Sequence, residues 1–173
     1  MSIFSKKKES YIDKKSLIIY FSRADENWAV GYVNKGNTEY IADFVKEFTN
    51  ADTFKVEPLV PYSKDYRTCI EEAKRRVGNA PIKEKIKDIS NYEVIYIMTP
   101  IYWGTYAPEL ETAIKDLDFS GKDIRIVTTH EGSGLGNVVN DVKRVCKGGN
   151  VVDSIAIQGS QAKNFKNKIE EWL

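Results

Sequence analysis

The sequence predicts an α/β fold in which helices cover both faces of an open, doubly wound parallel sheet. Amphipathic helical patterns alternate with short apolar runs along the chain, which is the order that parallel β-α-β units produce. The run at 17–21 is nearly continuous in apolar residues, as expected of a central strand that is buried on both faces. The five predicted strands are residues 17–21, 52–56, 93–99, 123–129 and 151–157.

The first half of the chain supplies two of these strands and two helices. Strand 17–21 precedes a helix at 39–48, whose apolar residues recur every three or four positions. Strand 52–56 precedes a second amphipathic helix at 65–77, which stops at Gly78. Two complete strand–helix units are therefore expected in this half.

The second half repeats the alternation three times. Pro100 ends strand 93–99 because proline has no amide hydrogen and a fixed φ. Pro108 stands where the next helix begins, a position that tolerates proline, and Gly148 and Gly149 close the helix after it. Helices are predicted in this half at residues 108–117, 137–146 and 161–172.

Composition limits the classes of protein that this chain can represent. We interpret residues 1–16 as a polar, lysine-rich lead-in and residues 17–173 as one domain. The chain carries 26 Lys and Arg against 25 Asp and Glu, a formal net charge of +1, which excludes an obligate nucleic-acid binder built on a basic surface. No apolar run suits a signal peptide or a membrane span, so we expect a cytoplasmic protein that does not bind membranes.

The two cysteines give no sign of metal or disulfide chemistry. Cys69 and Cys146 lie in amphipathic segments and not in a C-x-x-C pair, so we interpret both as packing residues. We therefore expect no disulfide and no metal site.

An anion site is predicted where the loop after the first strand meets the first helix. Gly36, Asn37 and Thr38 offer backbone N–H groups, an amide and a hydroxyl at a helix N-terminus. Gly31 and Gly36 have the glycine spacing of a nucleotide-triphosphate P-loop, but Asn37 replaces the lysine of that motif. A single monoester phosphate fits better. The alternative is that Asn37 and Thr38 only cap the helix.

Three unusual loops follow strand ends, where sheets of this class bind their ligands. Loop 22–38 carries hydroxyls and glycine amides, loop 99–106 carries aromatic residues beside a glycine, and loop 129–136 is rich in glycine. We interpret Trp28 and Tyr32 in the first loop as packing for the loop itself. The three loops together are the predicted ligand site.

Four motifs in these loops, taken in order, resemble those of the flavodoxins. They are Tyr-Phe-Ser-Arg at 20–23, Gly-Asn-Thr-Glu at 36–39, Thr-Pro-Ile-Tyr-Trp-Gly at 99–104 and Thr-His-Glu-Gly-Ser-Gly at 129–134. The resemblance covers roughly residues 17–172. It implies a flavodoxin-like three-layer fold, five parallel strands in the order 2-1-3-4-5, and bound FMN.

The resemblance also implies which residues bind the cofactor. The phosphate would be held by Ser22, Asn37 and Thr38, with Gly36 allowing close approach, and Arg23 would lie beside them in a loop that is longer than the simplest family pattern. The ribityl chain and ring would be contacted by Thr99, Pro100, Ile101, Tyr102, Trp103 and Gly104, with Tyr102 or Trp103 against the isoalloxazine. The pyrimidine side would be closed by Thr129, Glu131, Gly132, Ser133 and Gly134. No catalytic residue is assigned.

Other sites on related sheets are disfavoured. Gly132, Gly134 and Gly136 do not have the G-x-G-x-x-G spacing of a dinucleotide site and follow the fourth strand, not the first. A phosphoacceptor receiver needs acidic residues at strand ends where this chain has Ser22 and Thr99. The chain has one histidine and no nucleophile elbow, so a hydrolase triad is disfavoured as well.

Three functions remain open at this point. The first is an electron-transfer protein that docks on a redox partner protein, and the second is an FMN-dependent NAD(P)H or quinone oxidoreductase that acts on a small-molecule acceptor. The third is a non-catalytic flavin-binding module. Carriers of the flavodoxin type are typically strongly acidic, so the net charge of +1 weakens the first function without removing it.

Overall fold

Seven strands run through residues 9–173, the part of the chain that the computed structural model describes. In chain order they are β1 (Ser16–Tyr20), β2 (Asp25–Asn27), β3 (Gly31–Val33), β4 (Asp52–Lys55), β5 (Val94–Pro100), β6 (Asp123–His130) and β7 (Asn150–Gln158). Five of them form a parallel sheet in the order β4-β1-β5-β6-β7. Counting these five alone, the order is 2-1-3-4-5, so the predicted α/β fold and topology are confirmed.

Helices cover both faces of the sheet. They are α1 (Asn37–Thr49), α2 (Tyr66–Arg76), α3 (Pro108–Ile114), α4 (Val138–Val145), α5 (Gly159–Ala162) and α6 (Lys166–Trp172). Because side chains alternate along a strand, Ile18 in β1 packs in one cluster with Ile41 of α1, while Ile19 packs in another with Leu110 of α3. Within residues 9–173, no helix combines the length and the apolar character that crossing a membrane requires.

The lead-in is described only from residue 9, and residues 1–8 lie outside the described part. Tyr11 is buried against the α1 and α6 face, and its N–H donates to the Leu173 carbonyl at 2.9 Å. Both cysteines are buried, as the packing interpretation predicted. Burial raises the pKa of Cys146 to about 12.

The predicted C-terminal helix at 161–172 is two short helices. Between α5 and α6, the N–H groups of Asn164 and Phe165 donate to the carbonyls of Gln161 and Ala162, three residues back. This tighter hydrogen-bond pattern ends α5 and turns the chain before α6 begins at Lys166. The prediction of one continuous helix was wrong.

The long first loop contains an antiparallel hairpin, which the sequence did not predict. Strands β2 and β3 pair Asp25 with Val33 and Asn27 with Gly31. The guanidinium of Arg23 donates to the Ser63 carbonyl at 2.6 Å, which ties the base of the hairpin to the segment before α2. The hairpin therefore stands beside the N-terminus of α2 and extends the carboxyl edge of the sheet.

Candidate functional site

A cavity of about 650 Å³ opens at the carboxyl ends of β1, β5 and β6. Its volume is typical of sites that enclose a small molecule. All three predicted loops contribute to it, together with the β2–β3 hairpin and α2. The predicted site residues that line it are Ser22, Arg23, Asn37, Thr38, Pro100, Ile101, Tyr102, Trp103, Gly104, Thr129, Glu131 and Ser133.

The N-terminus of α1 forms one end of the cavity and presents several hydrogen-bond donors. Asn37 and Thr38 are its first two residues, so their N–H groups have no partner within the helix. Ser22 Oγ accepts from the Glu39 N–H at 3.1 Å, which leaves the serine proton for another acceptor. An anion at this end would meet donors from two loops and the positive end of the helix.

A pair of threonine hydroxyls adds a further donor. Thr38 Oγ1 and Thr129 Oγ1 lie 2.7 Å apart, and both side chains are almost fully buried. One hydroxyl must donate to the other, and the acceptor of the pair keeps its own proton. Because both residues line the cavity, that proton is placed for an anion bound there.

Gly36, just before α1, lets the start of α1 approach the loop after β1 closely. A Cβ at Gly36 would lie 2.6 Å from the Arg23 carbonyl oxygen and closer still to Ser22 Oγ. Any other residue would push α1 away from the loop after β1. Gly36 does not line the cavity itself, so its role is the close approach that the sequence predicted.

Three other predicted site residues shape loops and do not line the cavity. The Thr99 hydroxyl is buried, donates to the Pro100 carbonyl at 2.7 Å and accepts from the Ala107 N–H at 3.1 Å. The Gly132 N–H donates to His130 Nδ1 at 2.9 Å, and the Gly134 carbonyl accepts from the Thr128 hydroxyl at 2.9 Å. The sequence motif located these residues near the site but could not show which way their groups face.

Arg23 lines the cavity and also fixes the base of the hairpin to the segment before α2. Its guanidinium donates to the carbonyls of Ser63 and Lys64, the latter at 3.0 Å. Its Nε is buried and is without a hydrogen-bond partner among the described residues. The cation is thus held in place beside the cavity with one N–H unused.

The loop after β5 supplies aromatic walls of two kinds. Tyr102 packs edge-on against Phe21 and Tyr62, with ring centres 5.7 and 6.0 Å away. Burial, and then the nearby Cys69 thiol, raise the pKa of Tyr102 well above its usual value. Trp103 is 53% exposed, and its indole N–H donates to the Ile70 carbonyl of α2 at 2.6 Å. Trp103 is thus an exposed aromatic at the loop tip, while Tyr102 is partly buried against the core.

A buried ion pair between Arg76 and Glu109 holds the hydroxyl of Tyr62. Glu109 is fully buried and bonds both Arg76 and the Tyr62 hydroxyl, each at 2.9 Å. Burial and the Glu109 charge raise the pKa of Tyr62, so its hydroxyl stays a donor. The pair joins α2 to α3 beneath the loop that carries Tyr102.

The sequence missed the part of the cavity wall that the hairpin and α2 form. Trp28 of the hairpin is 64% exposed, lines the cavity, and packs on Tyr66 with ring centres 5.7 Å apart and an interplanar angle of 36°. Its interpretation as loop packing was therefore wrong. The lining residues that were not predicted are Asn27, Trp28, Tyr66, Arg67, Ile70, Ala73 and His130. The helical spacing of Tyr66, Ile70 and Ala73 was the available signal for this face of α2.

Residues at the start of α5 also went unpredicted. The Ser160 N–H donates to Glu131 Oε1 at 3.0 Å. A Cβ on Gly159 would collide with Glu131 Oε1 and with Asn37 Nδ2. Gly159 therefore lets α5 press against the loop after β6 and the first residue of α1, which fixes two predicted site residues at once.

The site as a whole combines an anion cradle at one end with flat aromatic surfaces at the other. His130 lines the cavity and accepts at Nδ1, which leaves its proton on Nε2 as a donor. Among residues 9–173, no three side chains of His, Cys, Asp or Glu come together to hold a metal ion. The arrangement suits a planar aromatic ligand with an anionic tail.

Comparison with known proteins agrees with this description. A family model described as Flavodoxin matches residues 15–173. A protein of Bacteroides uniformis that is proposed to be a flavoprotein is 21% identical, with a TM-score of 0.69 over 91% of this chain and 99% of that chain. A flavoprotein of Lactobacillus acidophilus in complex with FMN is 21% identical, with a TM-score of 0.63 over 87% of this chain and 97% of that chain.

A further solved structure is a flavodoxin variant of Fusobacterium nucleatum bound to flavin mononucleotide. It is 16% identical, with a TM-score of 0.53 over 92% of this chain and 94% of that chain. At these identities the likeness to solved structures concerns the fold. A comparison with curated proteins gives no match.

Proposed function

Because the chain belongs to the flavodoxin family and its cofactor is FMN, we propose that it is an electron-transfer protein. The observation that carries the proposal is that the aromatic end of the cavity opens at the surface between Trp28 and Trp103, which are 64% and 53% exposed. When bound, FMN supplies the chemistry by accepting and releasing electrons. The family resemblance drawn from the four motifs is confirmed.

The cradle at α1 fits the phosphate of FMN. We assign the phosphate to the N–H groups of Asn37 and Thr38, the free hydroxyl proton of Ser22, and the proton left by the Thr38–Thr129 pair. Gly36 supports the assignment because it removes the Cβ that would hold α1 away from Ser22. These donors are neutral, and the helix dipole adds to their field.

The aromatic end fits the isoalloxazine. We assign the ring to the aromatic lining of the cavity, to which Trp103 and Tyr102 of the loop after β5 contribute together with Trp28 and Tyr66. Trp103 and Gly104 both have positive φ, 51° and 80°. A Cβ on Gly104 would meet nothing within 4 Å, so only backbone strain opposes a substitution there. We propose that the peptide between Trp103 and Gly104 tunes the redox potential of the flavin.

A second function is favoured by a different observation, the extension of the cavity by the hairpin. Trp28 and the exposed Arg67 give the cavity a wall and a positive charge beyond the cradle. An FMN-dependent NAD(P)H or quinone oxidoreductase would use that space for a small substrate. The two functions differ in whether the flavin exchanges electrons with a protein or with a small molecule.

Anaerobic stopped-flow spectroscopy separates the two functions. We expect NADPH and NADH to reduce the FMN-loaded protein slowly and without saturation. The photochemically reduced protein should instead pass electrons to a one-electron acceptor protein in a second-order reaction. Fast, saturable bleaching of the flavin by either nucleotide would contradict the electron-transfer function and establish the oxidoreductase.

A further inference from the structure

The surface around the mouth of the cavity is both apolar and basic, and we propose that it docks an acidic redox partner protein. We call this surface the α2 face, and it comprises Trp28, Arg67, Lys74, Arg75, Val77 and Trp103. The inference rests on the proposed electron-transfer function and adds the charge of the partner. The polarity is opposite to that of carriers of the flavodoxin type, which are typically strongly acidic.

Exposed apolar side chains flank α2 along its whole length. Trp28 packs on Tyr66 at the first turn, and Trp103 bonds the Ile70 carbonyl in the middle. Val77 follows the last turn, is 68% exposed, and lines with Trp103 a second cavity of about 260 Å³. Single exposed apolar residues need no explanation, but a row that borders a cofactor cavity marks an interaction surface.

The charge of the α2 face comes from three exposed cations. Arg67, Lys74 and Arg75 are all exposed, and among residues 9–173 neither arginine forms an ion pair. Lys74 Nζ lies 5.0 Å from the centre of the Trp103 ring, so this charge borders the aromatic end of the cavity.

Most acidic residues near α2 are already engaged by backbone donors. Asp65 accepts from the Thr68 N–H, Glu72 from the Ser63 N–H, and Glu26 from the Tyr66 N–H, each at 2.8 Å. Glu71 is the exposed carboxylate that remains on α2. These hydrogen bonds leave the carboxylates charged, so the positive charge is concentrated in the last turn of α2, where Lys74, Arg75 and Arg76 follow one another beside Trp103.

A positive face around an electron-exchange site selects partners by long-range attraction. Complementary charge speeds the encounter and orients the partner, and electron-transfer contacts are small enough to depend on this steering. An acidic protein surface would bring its own redox centre to the Trp28 and Trp103 side of the flavin. The aromatic residues would then fill the centre of the contact and the arginines its rim.

The test measures electron transfer from the photochemically reduced, FMN-loaded protein to two acceptors of opposite charge. An acidic blue-copper protein and a basic c-type cytochrome both accept one electron. With the acidic acceptor, we expect the second-order rate constant to fall about 10-fold or more between about 10 mM and about 300 mM salt. With the basic acceptor, it should stay level or rise.

Charge reversal locates the effect. Lys74→Glu with Arg75→Glu should lower the low-salt rate with the acidic acceptor about 10-fold, and the glutamine pair at the same positions should have a smaller effect in the same direction. The matched control reverses Lys143 and Lys147, two exposed lysines at α4, and should change the rate less than about 2-fold. FMN content and melting temperature are measured for every variant to show that each one is folded.

The outcomes separate the docking surface from the proposed function. Electron transfer to both acceptors at rates independent of salt would overturn the docking surface but not the electron-transfer function. An equal loss of rate in the Lys143 and Lys147 control variant would have the same consequence. Transfer to neither acceptor would overturn the proposed function itself. A rise in the KM for NADPH in the Lys74 and Arg75 variants would assign the charges to a nucleotide and overturn the protein partner.

Discussion

At the residue scale, the cradle depends on hydroxyls that are held by one partner and keep a proton for another. The Thr38 and Thr129 oxygens lie 2.7 Å apart in a nearly buried position, and Ser22 Oγ already accepts an N–H of α1. Such groups are oriented before the ligand arrives, which lowers the entropic cost of binding. A phosphate near them therefore gains charge-assisted hydrogen bonds without rearranging the site.

Removing one hydroxyl tests this arrangement. Thr38→Val keeps the shape and the N–H of residue 38, and we expect it to weaken FMN binding about 10- to 100-fold, the effect of one hydrogen bond to a charged group. Riboflavin binding should be unchanged because it lacks the phosphate. Fluorescence titration with both flavins measures the two affinities, and Thr38→Ser is the control that should retain them. Equal losses for both flavins would show that residue 38 does not contact the phosphate.

Trp28 and Tyr32 provide a matched pair on the same hairpin. Their exposed fractions are 64% and 63%, but only Trp28 lines the cavity. Trp28→Ala should weaken FMN binding about 3- to 10-fold and raise the fluorescence of the bound flavin, because an aromatic contact with the ring is lost. Tyr32→Ala should do neither. If both variants behave alike, the hairpin acts only as a cover and Trp28 makes no specific contact with the flavin.

The sequence was sufficient to predict the cavity residues that are placed by their position in a helix or loop. It was not sufficient for those that are placed by contacts with distant residues. Asn37 and Thr38 begin a helix wherever that helix lies, so the motif was sufficient. Thr99 turns into the loop core, and Trp28 meets Tyr66 across 38 positions of sequence. No local pattern contains that information.

At the element scale, the loop after β5 is held by α4. The Thr105 hydroxyl donates to the Asp141 carboxylate at 2.6 Å, and the Asn137 N–H donates to the Gly104 carbonyl at 2.8 Å. Burial acts to raise the pKa of Asp141, but hydrogen bonds from Thr105, Asn137 and Arg144 hold it below its usual value. The loop that carries Trp103 is therefore anchored by an ionised carboxylate.

This anchor predicts a pH dependence of defined sign. The folded state lowers the pKa of Asp141. The carboxylate therefore stabilises the folded loop fully above the ordinary carboxyl pKa of about 4, and this stabilisation is lost as the pH falls through the folded pKa. FMN affinity at neutral pH should fall about 3- to 10-fold in Asp141→Ala, since one hydrogen bond to the loop is lost. Titrations across acidic pH should show a smaller acid-induced loss in the variant than in the wild type. An identical pH profile would exclude Asp141 as the anchor.

The ion pair between α2 and α3 predicts a large effect on stability. Glu109 is fully buried with Arg76, so Glu109→Ala leaves a cation without its partner and should cost about 3 kcal/mol of unfolding free energy. The exposed pair of Glu57 and Lys83 is the control, and Glu57→Ala should stay within about 0.5 kcal/mol of the wild type. Urea unfolding of both variants measures the difference. Similar values for the two would contradict the role given to the buried pair.

Long elements were predictable because their hydrophobic period extends over many residues, and short ones were not. β1, β5 and β6 follow from buried apolar runs, and α1 follows from its helical spacing. β2 consists of Asp25, Glu26 and Asn27, which are poor strand formers, so its pairing with β3 depends on the turn and on Arg23. The break between α5 and α6 likewise leaves no proline or glycine as a signal.

At the scale of the whole molecule, the site follows from the strand order. β1 lies between β4 and β5, so the chain leaves β1 toward one edge and returns to the other side of it for β5. At that reversal the loops after β1 and β5 diverge, and a crevice opens between them. The cradle and the aromatic wall form on its two sides, and the hairpin and α2 extend it toward solvent. This much was predictable from sequence, because topology fixes where loops meet even when their contacts are unknown.

An FMN site that is organised around the phosphate should discriminate strongly between FMN and riboflavin. The most direct measurement is the ratio of the dissociation constants of FMN and riboflavin for the wild-type protein, obtained by titrating the apo form in the same buffer. Two or more charge-assisted hydrogen bonds predict that FMN binds at least about 100-fold more tightly than riboflavin. Equal affinity for the two flavins would contradict the claim.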